Sequence, residues 1–287
     1  MDKNLIISNS YNSAIEEGFN QYLEERAVAE NSEIKIDEEA LIAYIEGKWL
    51  ATGLQELDGM TPLEFINSLS SLEELLEFFL SIASTSDVGV PDILIDRFKH
   101  YGGKTASDKL FHYVNKSLAA NENNRDDIYP AVYQAVYAIG CLQEEEYKQK
   151  LIELLIENAQ DEIISEAICA AIVAYGVSIL DDVIKAFDTV QNQTAKEHFL
   201  VCVAEICNEN KYRADEIFFF MKNAFRTVSN LTLIVEILGD YGDGRAIPLL
   251  RGYVLKNIHE LDAATFNQMR AIIKKLGGEI EDLVYTK

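Results

Sequence analysis

Residues 237–250 read ILGDYGDGRAIPLL, and this stretch decides the fold because it places helix-breaking residues between two apolar helical patterns. Gly239 or Gly242 can end the first helix, since glycine readily adopts the left-handed conformation that closes a helix. The aspartate after either glycine can cap the free N–H groups of the next helix. Pro248 is compatible with that second helix only within its first turn. The stretch therefore predicts a tight turn between two antiparallel helices.

The same order of helix, stop and helix recurs along the chain. Apolar residues repeat at helical spacing, as in the stripe Ile163, Ala167 and Ala171, and no segment alternates as a strand would. We therefore predict an all-α protein. An apolar or aromatic residue followed by glycine marks most helix ends, and asparagine, the second-best residue for this conformation, marks one. The predicted stops are Gly102, Gly140, Gly176, Asn208, Gly239 and Gly277.

These stops divide the chain into an N-terminal region and a series of helix pairs. Residues 1–87 are predicted to form a small acidic helical region that caps the first pair, with helix starts at the capping-box patterns of Thr61 and Ser71. Residues 88–287 are predicted to stack as about five pairs followed by a last helix and a short end piece that covers the terminal apolar face. The predicted pairs are 88–121, 126–160, 161–191, 192–226 and 227–260, with 261–287 as the C-terminal cap.

The stretch at 237–250 resembles the short HEAT-like repeats of bacterial proteins, the type also found in phycobilisome lyases, whose units read L-G-x-x-G-D and then A-I-P-x-L-L. Elsewhere, as in AYGVSILDDVIKAF at 174–187, only the pattern is kept, and the valine–arginine pair usual in the first helix is missing. The resemblance covers roughly residues 88–287. It implies a right-handed α-α superhelix, or solenoid, in which the second helix of each pair lines a concave surface.

The charge of the chain narrows the classes of partner. Its 48 acidic and 25 basic residues give a net charge of −23, which repels phosphate groups, so nucleic acid and anionic membranes are not expected partners. The longest uncharged stretch, 167–180, is too short to span a bilayer. No signal-peptide pattern opens the sequence, and none of the four cysteines forms a C-x-x-C pair, so we expect a cytoplasmic protein with reduced thiols.

The acidic charge is unevenly distributed along the chain. Residues 1–90 carry a net charge of −14, residues 91–210 carry −10, and residues 211–287, with 10 acids and 11 bases, carry +1. Cations in or beside the second helices of the last two pairs are predicted to receive an acidic segment on the concave face, with Phe219 as an apolar anchor; ordinary surface cations and a buried phenylalanine are the alternative. The predicted binding residues are Lys211, Arg213, Phe219, Lys222, Arg226, Arg245, Arg251 and Lys256.

Three other groupings place reactive side chains on one helix face, although ordinary helix surfaces and cores produce the same spacings. In the order in which they are named below, the first has side chains that can bind a metal, the second has side chains for general acid–base catalysis, and the third could form an aromatic recognition stripe. Because no phosphate-binding loop, H-E-x-x-H or G-x-S-x-G motif accompanies them, we predict no catalytic residue, no metal and no cofactor. The groupings are His198 with Cys202, then Asp92, Asp96 and His100, and finally Tyr129, Tyr133 and Tyr137.

The predicted function is therefore that of a non-catalytic interaction or scaffold module. A stack of helix pairs offers an extended groove for a protein or peptide without requiring reactive residues. The alternative is an acidic immunity-type neutraliser of a basic toxin or nuclease, which the net charge of −23 favours. The HEAT-like resemblance also implies two enzyme classes, bilin lyases and DNA glycosylases, but glycosylases hold duplex DNA in a strongly basic groove.

Overall fold

A computed structural model describes residues 2–28, 37–86, 88–120, 126–208 and 211–285. Over these ranges the chain forms fifteen α-helices and two short 3-10 helices, and they contain no β-strand. The prediction of an all-α protein is thus confirmed. Within the same ranges, none of the helices combines the length and the apolar character needed to cross a membrane.

The chain divides into two compact units, residues 1–144 and 145–287. The predicted boundary between residues 87 and 88 falls inside the first unit, where the helix before it contacts two helices after it, and the role of residues 1–87 as a cap stays a prediction. The α-helices of the first unit are α1 (Lys3–Val28), α2 (Glu38–Ala51), α3 (Pro62–Ser68), α4 (Leu72–Ala83), α5 (Asp92–His100), α6 (Gly103–Ala120) and α7 (Tyr129–Leu142).

Helix α4 organises the first unit by packing against α1, α5 and α7. Its two phenylalanines are fully buried and meet aromatic rings from both sides: Phe78 contacts Phe65 of α3, and Phe79 contacts Phe98 of α5, each with 5.2 Å between ring centroids. Such edge-to-face pairs add to the hydrophobic stabilisation of the core. The aromatic residues therefore join the region before residue 87 to the helix after it.

The two predicted capping boxes form to different degrees. Thr61 accepts a hydrogen bond from the backbone N–H of Glu64, and the Glu64 carboxylate accepts one from the backbone N–H of Thr61, so this box is complete. Ser71 caps α4 in the predicted way, but the carboxylate of Glu74 bonds to Ser70 instead of Ser71. Both helices begin where the sequence predicts.

The second unit contains the last eight α-helices. Their bounds place two helices in each of the predicted pairs 161–191, 192–226 and 227–260, and one helix in the C-terminal piece. The helices are α8 (Glu145–Asn158), α9 (Glu162–Ala174), α10 (Leu180–Thr189), α11 (Gln193–Asn208), α12 (Ala214–Thr227), α13 (Leu231–Tyr241), α14 (Ala246–Asn257) and α15 (Ala263–Lys275).

The helices of the second unit pack in a repeating order. Among the odd-numbered helices, α9 contacts α11, α11 contacts α13, and α13 contacts α15. Each of the even-numbered helices α8, α10, α12 and α14 contacts the helix that directly follows it. Side-chain hydrogen bonds connect α9 to α11, α11 to α13 and α13 to α15 in or just before the first half of each helix. The two residues of each bond lie 34 to 36 positions apart in the sequence. The pairs are Gln160 with Thr194, Gln193 with Ser229, and Thr232 with Gln268.

The stretch at 237–250 forms the predicted turn, and the structure decides between its alternatives. Gly242 ends α13 in the left-handed conformation, with a φ of 76° and its N–H donated to the carbonyl of Leu238. Gly239 lies inside α13, where the absence of a side chain lets Ile272 of α15 approach closely. The carboxylate after Gly242 accepts from the backbone N–H of Arg245, and Pro248 is the third residue of α14, within its first turn as required.

Two predicted helix stops, Gly140 and Gly239, lie inside helices. Gly140 lies within α7, which continues to Leu142 and ends at Gln143, a residue with a φ of 54°. The stop at Asn208 is confirmed, since Asn208 is the last helical residue of α11. At the two glycines, tertiary packing extends the helix beyond the residue that local preference favours.

Candidate functional sites

The exposed surface of α12 carries part of the predicted binding site. Four residues of the run 217–221 are buried against neighbouring helices, but Phe219 is 63% exposed. Lys222 and Arg226 follow it at three and seven residues, so the three side chains share one helix face. An exposed aromatic residue beside two cations provides an apolar anchor with flanking charge, which is the composition of protein-binding hot spots.

Several of the other predicted binding cations are held in contacts within the second unit. Arg213 Nη1 lies 2.5 Å from Asp181 of α10, and the same guanidinium pairs with Glu216. One pair further on, Arg245 Nη1 lies 2.6 Å from Asp215 of α12, and its guanidinium also stacks over the ring of Phe218. Arg213 directly precedes α12 and binds an acid in the first turn of α10. Arg245 likewise precedes α14 and binds an acid in the first turn of α12.

Lys211 and Arg251 are also engaged. Lys211 Nζ donates to the carbonyl of Tyr241 at 2.6 Å and lies over the ring of that tyrosine. Arg251 Nη2 lies 2.6 Å from Asp282, and its other amino group bonds to the carbonyl of Glu279. Four of the eight predicted residues thus connect elements of the second unit, a role that their spacing in the sequence did not reveal.

The remaining cations have no ion pair among the residues that the structure describes. They are accompanied by a second exposed apolar side chain, Leu255 of α14, which is 53% exposed. Helices α12 and α14 are neighbours, since Phe225 and Tyr253 make an edge-to-face contact at 5.2 Å. We give the name α12–α14 surface to five apolar and basic residues of these two helices, all exposed except the half-buried Lys222: Phe219, Lys222, Arg226, Leu255 and Lys256.

The predicted pair of His198 and Cys202 meets a third side chain, Cys169 of α9. His198 Nε2 donates to the carbonyl oxygen of Ala159 at 3.1 Å, because a carbonyl can only accept. Hydrogen bonds from Cys202 and then from His198 lower the pKa of Cys169 to about 6. The same bond to Cys169 raises the pKa of His198. The cluster therefore places a thiol with a lowered pKa beside an imidazole with a raised pKa.

This cluster has little access to solvent or substrate. Cys169 is 9% exposed and Cys202 is fully buried, with its Sγ 4.0 Å from the carbonyl oxygen of Cys169. Within the described ranges, no group of three or more histidine, cysteine or acidic side chains has the arrangement of a metal site. The cluster thus joins α9 to α11 and offers no open coordination position.

Replacing His198 with alanine is expected to raise the pKa of Cys169 from about 6 toward its usual value of about 8.5, because the cationic hydrogen-bond donor is lost. Thiolate absorbance at 240 nm measures this pKa. One thiolate signal should appear as the pH rises through the pKa, and it belongs to Cys169 because burial raises the pKa of Cys141 and of Cys207, the latter to about 11.

Two controls accompany that titration. Cys169→Ser should remove the signal, and His112→Ala, which changes an exposed histidine of α6 in the first unit, should leave its midpoint unchanged. A midpoint that is the same in His198→Ala and in the unchanged protein would show that the imidazole does not stabilise the thiolate.

The other two groupings do not form a reactive cleft. Asp92, Asp96 and His100 are all exposed on α5, and Asp96 pairs with Lys99 at 3.1 Å. Of the three tyrosines of α7, Tyr137 is 38% exposed, and its pKa is raised to about 12 by the neighbouring thiol of Cys141 and by burial.

Tyr129 and Tyr133 are partly buried and have interactions of their own. The three tyrosines are therefore divided between packing and one exposed ring, and do not form a continuous recognition stripe.

One cavity of the first unit was not predicted from the sequence. It is a groove of about 610 Å³ between α1 and α2, which we name the α1–α2 groove. Its floor includes the single tryptophan, Trp49, whose indole N–H donates to the hydroxyl of Ser10 at 3.0 Å. Beneath it, Tyr11 donates to the carboxylate of Glu46 at 2.8 Å, and burial raises the pKa of both groups.

The sequence contains only one signal of this groove. Small residues recur on α1 at Ser10, Ala14 and Gly18. At Gly18 a side chain would collide with Ile45 of α2, because a methyl carbon in that position would lie 2.4 Å from Cδ1 of the isoleucine. The two helices therefore approach closely at Gly18.

Comparison with known proteins gives no family for the chain: no family model, curated protein or solved structure matches it.

Proposed function

We propose that this protein is a non-catalytic interaction module in which a right-handed, HEAT-like stack of helix pairs binds a protein or peptide. Support comes from the repeating order of contacts among α8–α15, which is the order that stacked helix pairs require. The proposed partner is an acidic segment with an apolar side chain. The proposed contact is the α12–α14 surface, because its cations are free to bind carboxylates whereas Arg213 and Arg245 already do so internally.

The exposure of Phe219 is the observation that carries this proposal. The ring lies in a run of five apolar residues, yet it is 63% exposed while Phe220 beside it is 8% exposed. Exposed aromatic rings of this size are candidates for a contact that removes them from water. Leu255 provides a second such position on the neighbouring helix.

The proposal is tested with a photo-reactive amino acid at residue 219 and with binding variants. We expect the photo-reactive side chain to cross-link a partner in extract of the source cells. We also expect the double variant Phe219→Ala, Lys222→Glu to bind that purified partner at least about tenfold more weakly, because it loses an anchor and reverses a charge.

The matched control for that variant is Lys116→Glu, the same charge reversal on α6 in the first unit. It should change the affinity less than about twofold, since it reverses the same charge without changing any residue of the α12–α14 surface. Equal losses of affinity in the two variants would show that binding depends on the net charge of the molecule, and would refute the proposed surface.

A second candidate function is neutralisation of a basic toxin or nuclease. The observation that favours it is the concentration of charge in residues 1–87, which contain 18 acidic and 4 basic residues. Such a surface attracts a cationic protein and speeds its association. Inhibition of a toxin encoded beside this gene would support this function, and an unaffected toxin would contradict it.

A further inference from the structure

The α1–α2 groove has the shape of a binding site for a third helix. The lining residues of α1 recur at three- and four-residue spacing from Ser10 to Glu25, and those of α2 do so from Leu41 to Thr52. One face of each helix is therefore open along the groove. The length from Ser10 to Glu25 corresponds to about 22 Å of helix.

The chemistry of the lining is apolar in the centre. Helix α1 contributes small residues, including Ala14 and Gly18, while α2 contributes the larger Leu41, Tyr44 and Ile45. Tyr44 lines this groove and is 70% exposed. Tyr44 and the half-buried Leu41 provide the apolar surface that the side chains of a third helix would bury.

The charges at the edges of the groove select the kind of helix. Glu17, Glu25 and Glu56 line it together with a single cation, Lys48. Gln21 donates to the carboxylate of Glu25 at 2.9 Å and so orients it. The surrounding residues are acidic as well, since residues 1–87 carry a net charge of −14. A second copy of this chain, with its charge of −23, would be repelled.

We infer that the α1–α2 groove binds a basic amphipathic helix of a partner protein, with its apolar face on Leu41 and Tyr44, above the buried Ile45 and Trp49, and its lysine or arginine residues beside Glu17, Glu25 and Glu56. The helix-in-groove mode provides affinity through apolar contacts and selectivity through charge. This site belongs to the first unit and does not depend on the α12–α14 surface of the second.

The probe for this site is a synthetic leucine–lysine amphipathic helix of about 18 residues, or about 27 Å, without tryptophan or tyrosine. Trp49 is the only tryptophan of the chain and lines the groove, so its emission reports where the peptide binds. We expect a saturable change in Trp49 emission. A peptide with glutamate in place of lysine, and a scrambled peptide of the same composition, should bind at least about tenfold more weakly.

Charge reversal in the protein separates the groove from general attraction. The triple variant Glu17→Lys, Glu25→Lys, Glu56→Lys is expected to bind the basic peptide at least about tenfold more weakly. A control that changes the net charge equally, with exposed carboxylates outside the groove, should lose less than about twofold. The control substitutions are Glu16→Lys, Glu24→Lys and Glu77→Lys.

Four results would overturn the inference. They are equal losses in the two triple variants, binding that leaves Trp49 emission unchanged, equal binding of the glutamate peptide, and no binding of the basic peptide. Because all six substituted carboxylates are exposed, neither variant is expected to disturb folding. Circular dichroism of both variants checks this.

Discussion

Replacing Phe220 with alanine is expected to lower the free energy of unfolding by about 3–5 kcal/mol. Phe220 is 8% exposed on α12, and its ring meets that of Phe187 of α10 edge to face, with 4.8 Å between centroids. The substitution removes a buried ring and leaves a cavity between the second helices of consecutive pairs. The loss therefore weakens the contact between α10 and α12.

The adjacent residue provides the control for this prediction. Phe219→Ala removes the same ring from the same helix, but Phe219 is 63% exposed, so we expect a change within about 0.5 kcal/mol. Urea unfolding followed by far-UV circular dichroism measures both variants. Similar losses for the two substitutions would mean that α12 does not present the faces described above, and the α12–α14 surface would then lose its apolar anchor.

Substituting alanine for two helical glycines is expected to change stability in opposite directions. At Gly239 a new methyl carbon would lie 2.5 Å from Cδ1 and 2.9 Å from Cγ2 of Ile272, so α13 and α15 must separate. We expect a loss of about 1–3 kcal/mol. At Gly252 of α14 nothing lies within 4 Å of the new carbon, and the better helix propensity of alanine should add about 0.5–1 kcal/mol.

The difference between these variants tests the packing of α13 on α15, since helix propensity favours alanine at both positions. The same urea titration measures them, with the unchanged protein as reference. If Gly239→Ala is as stable as Gly252→Ala, then α13 and α15 do not make the close approach that the structure shows, and the last helix does not cover α13.

The sequence predicts the helices of this chain well because their signals are local. The turn at 237–250 contains glycine, aspartate and proline within a few residues, and the structure uses Gly242 and Pro248 as the rules of helix ends require. The Thr61 box depends on residues three positions apart and forms completely. Gly140 shows the limit of such signals, because packing carries α7 past it to Leu142.

The candidate sites depend on contacts between distant parts of the chain and were predicted less well. Arg213 and Arg245 appear as free cations in the sequence, but each binds an acid 30 or more residues away. Cys169 joins His198 only because α9 packs on α11. The α1–α2 groove likewise arises because two helices approach each other, and the sequence of one helix alone does not show which helix it contacts.

The stacking of consecutive helix pairs in residues 145–287 is the central structural claim, and cysteine cross-linking tests it most directly. The double variants Gln160→Cys, Thr194→Cys and Gln193→Cys, Ser229→Cys replace residues that hydrogen-bond where α9 and α11, and α11 and α13, begin, at 2.8 Å and 3.2 Å respectively. A third double variant, Gln160→Cys, Ser229→Cys, joins the beginnings of α9 and α13, which are separated by α11 in this order. A short bis-maleimide reagent is applied to the folded protein, and mass spectrometry identifies the linked peptides. The first two variants should cross-link rapidly and the third should not; rapid linkage of 160 to 229, or failure of both neighbouring pairs, would contradict the stacked arrangement.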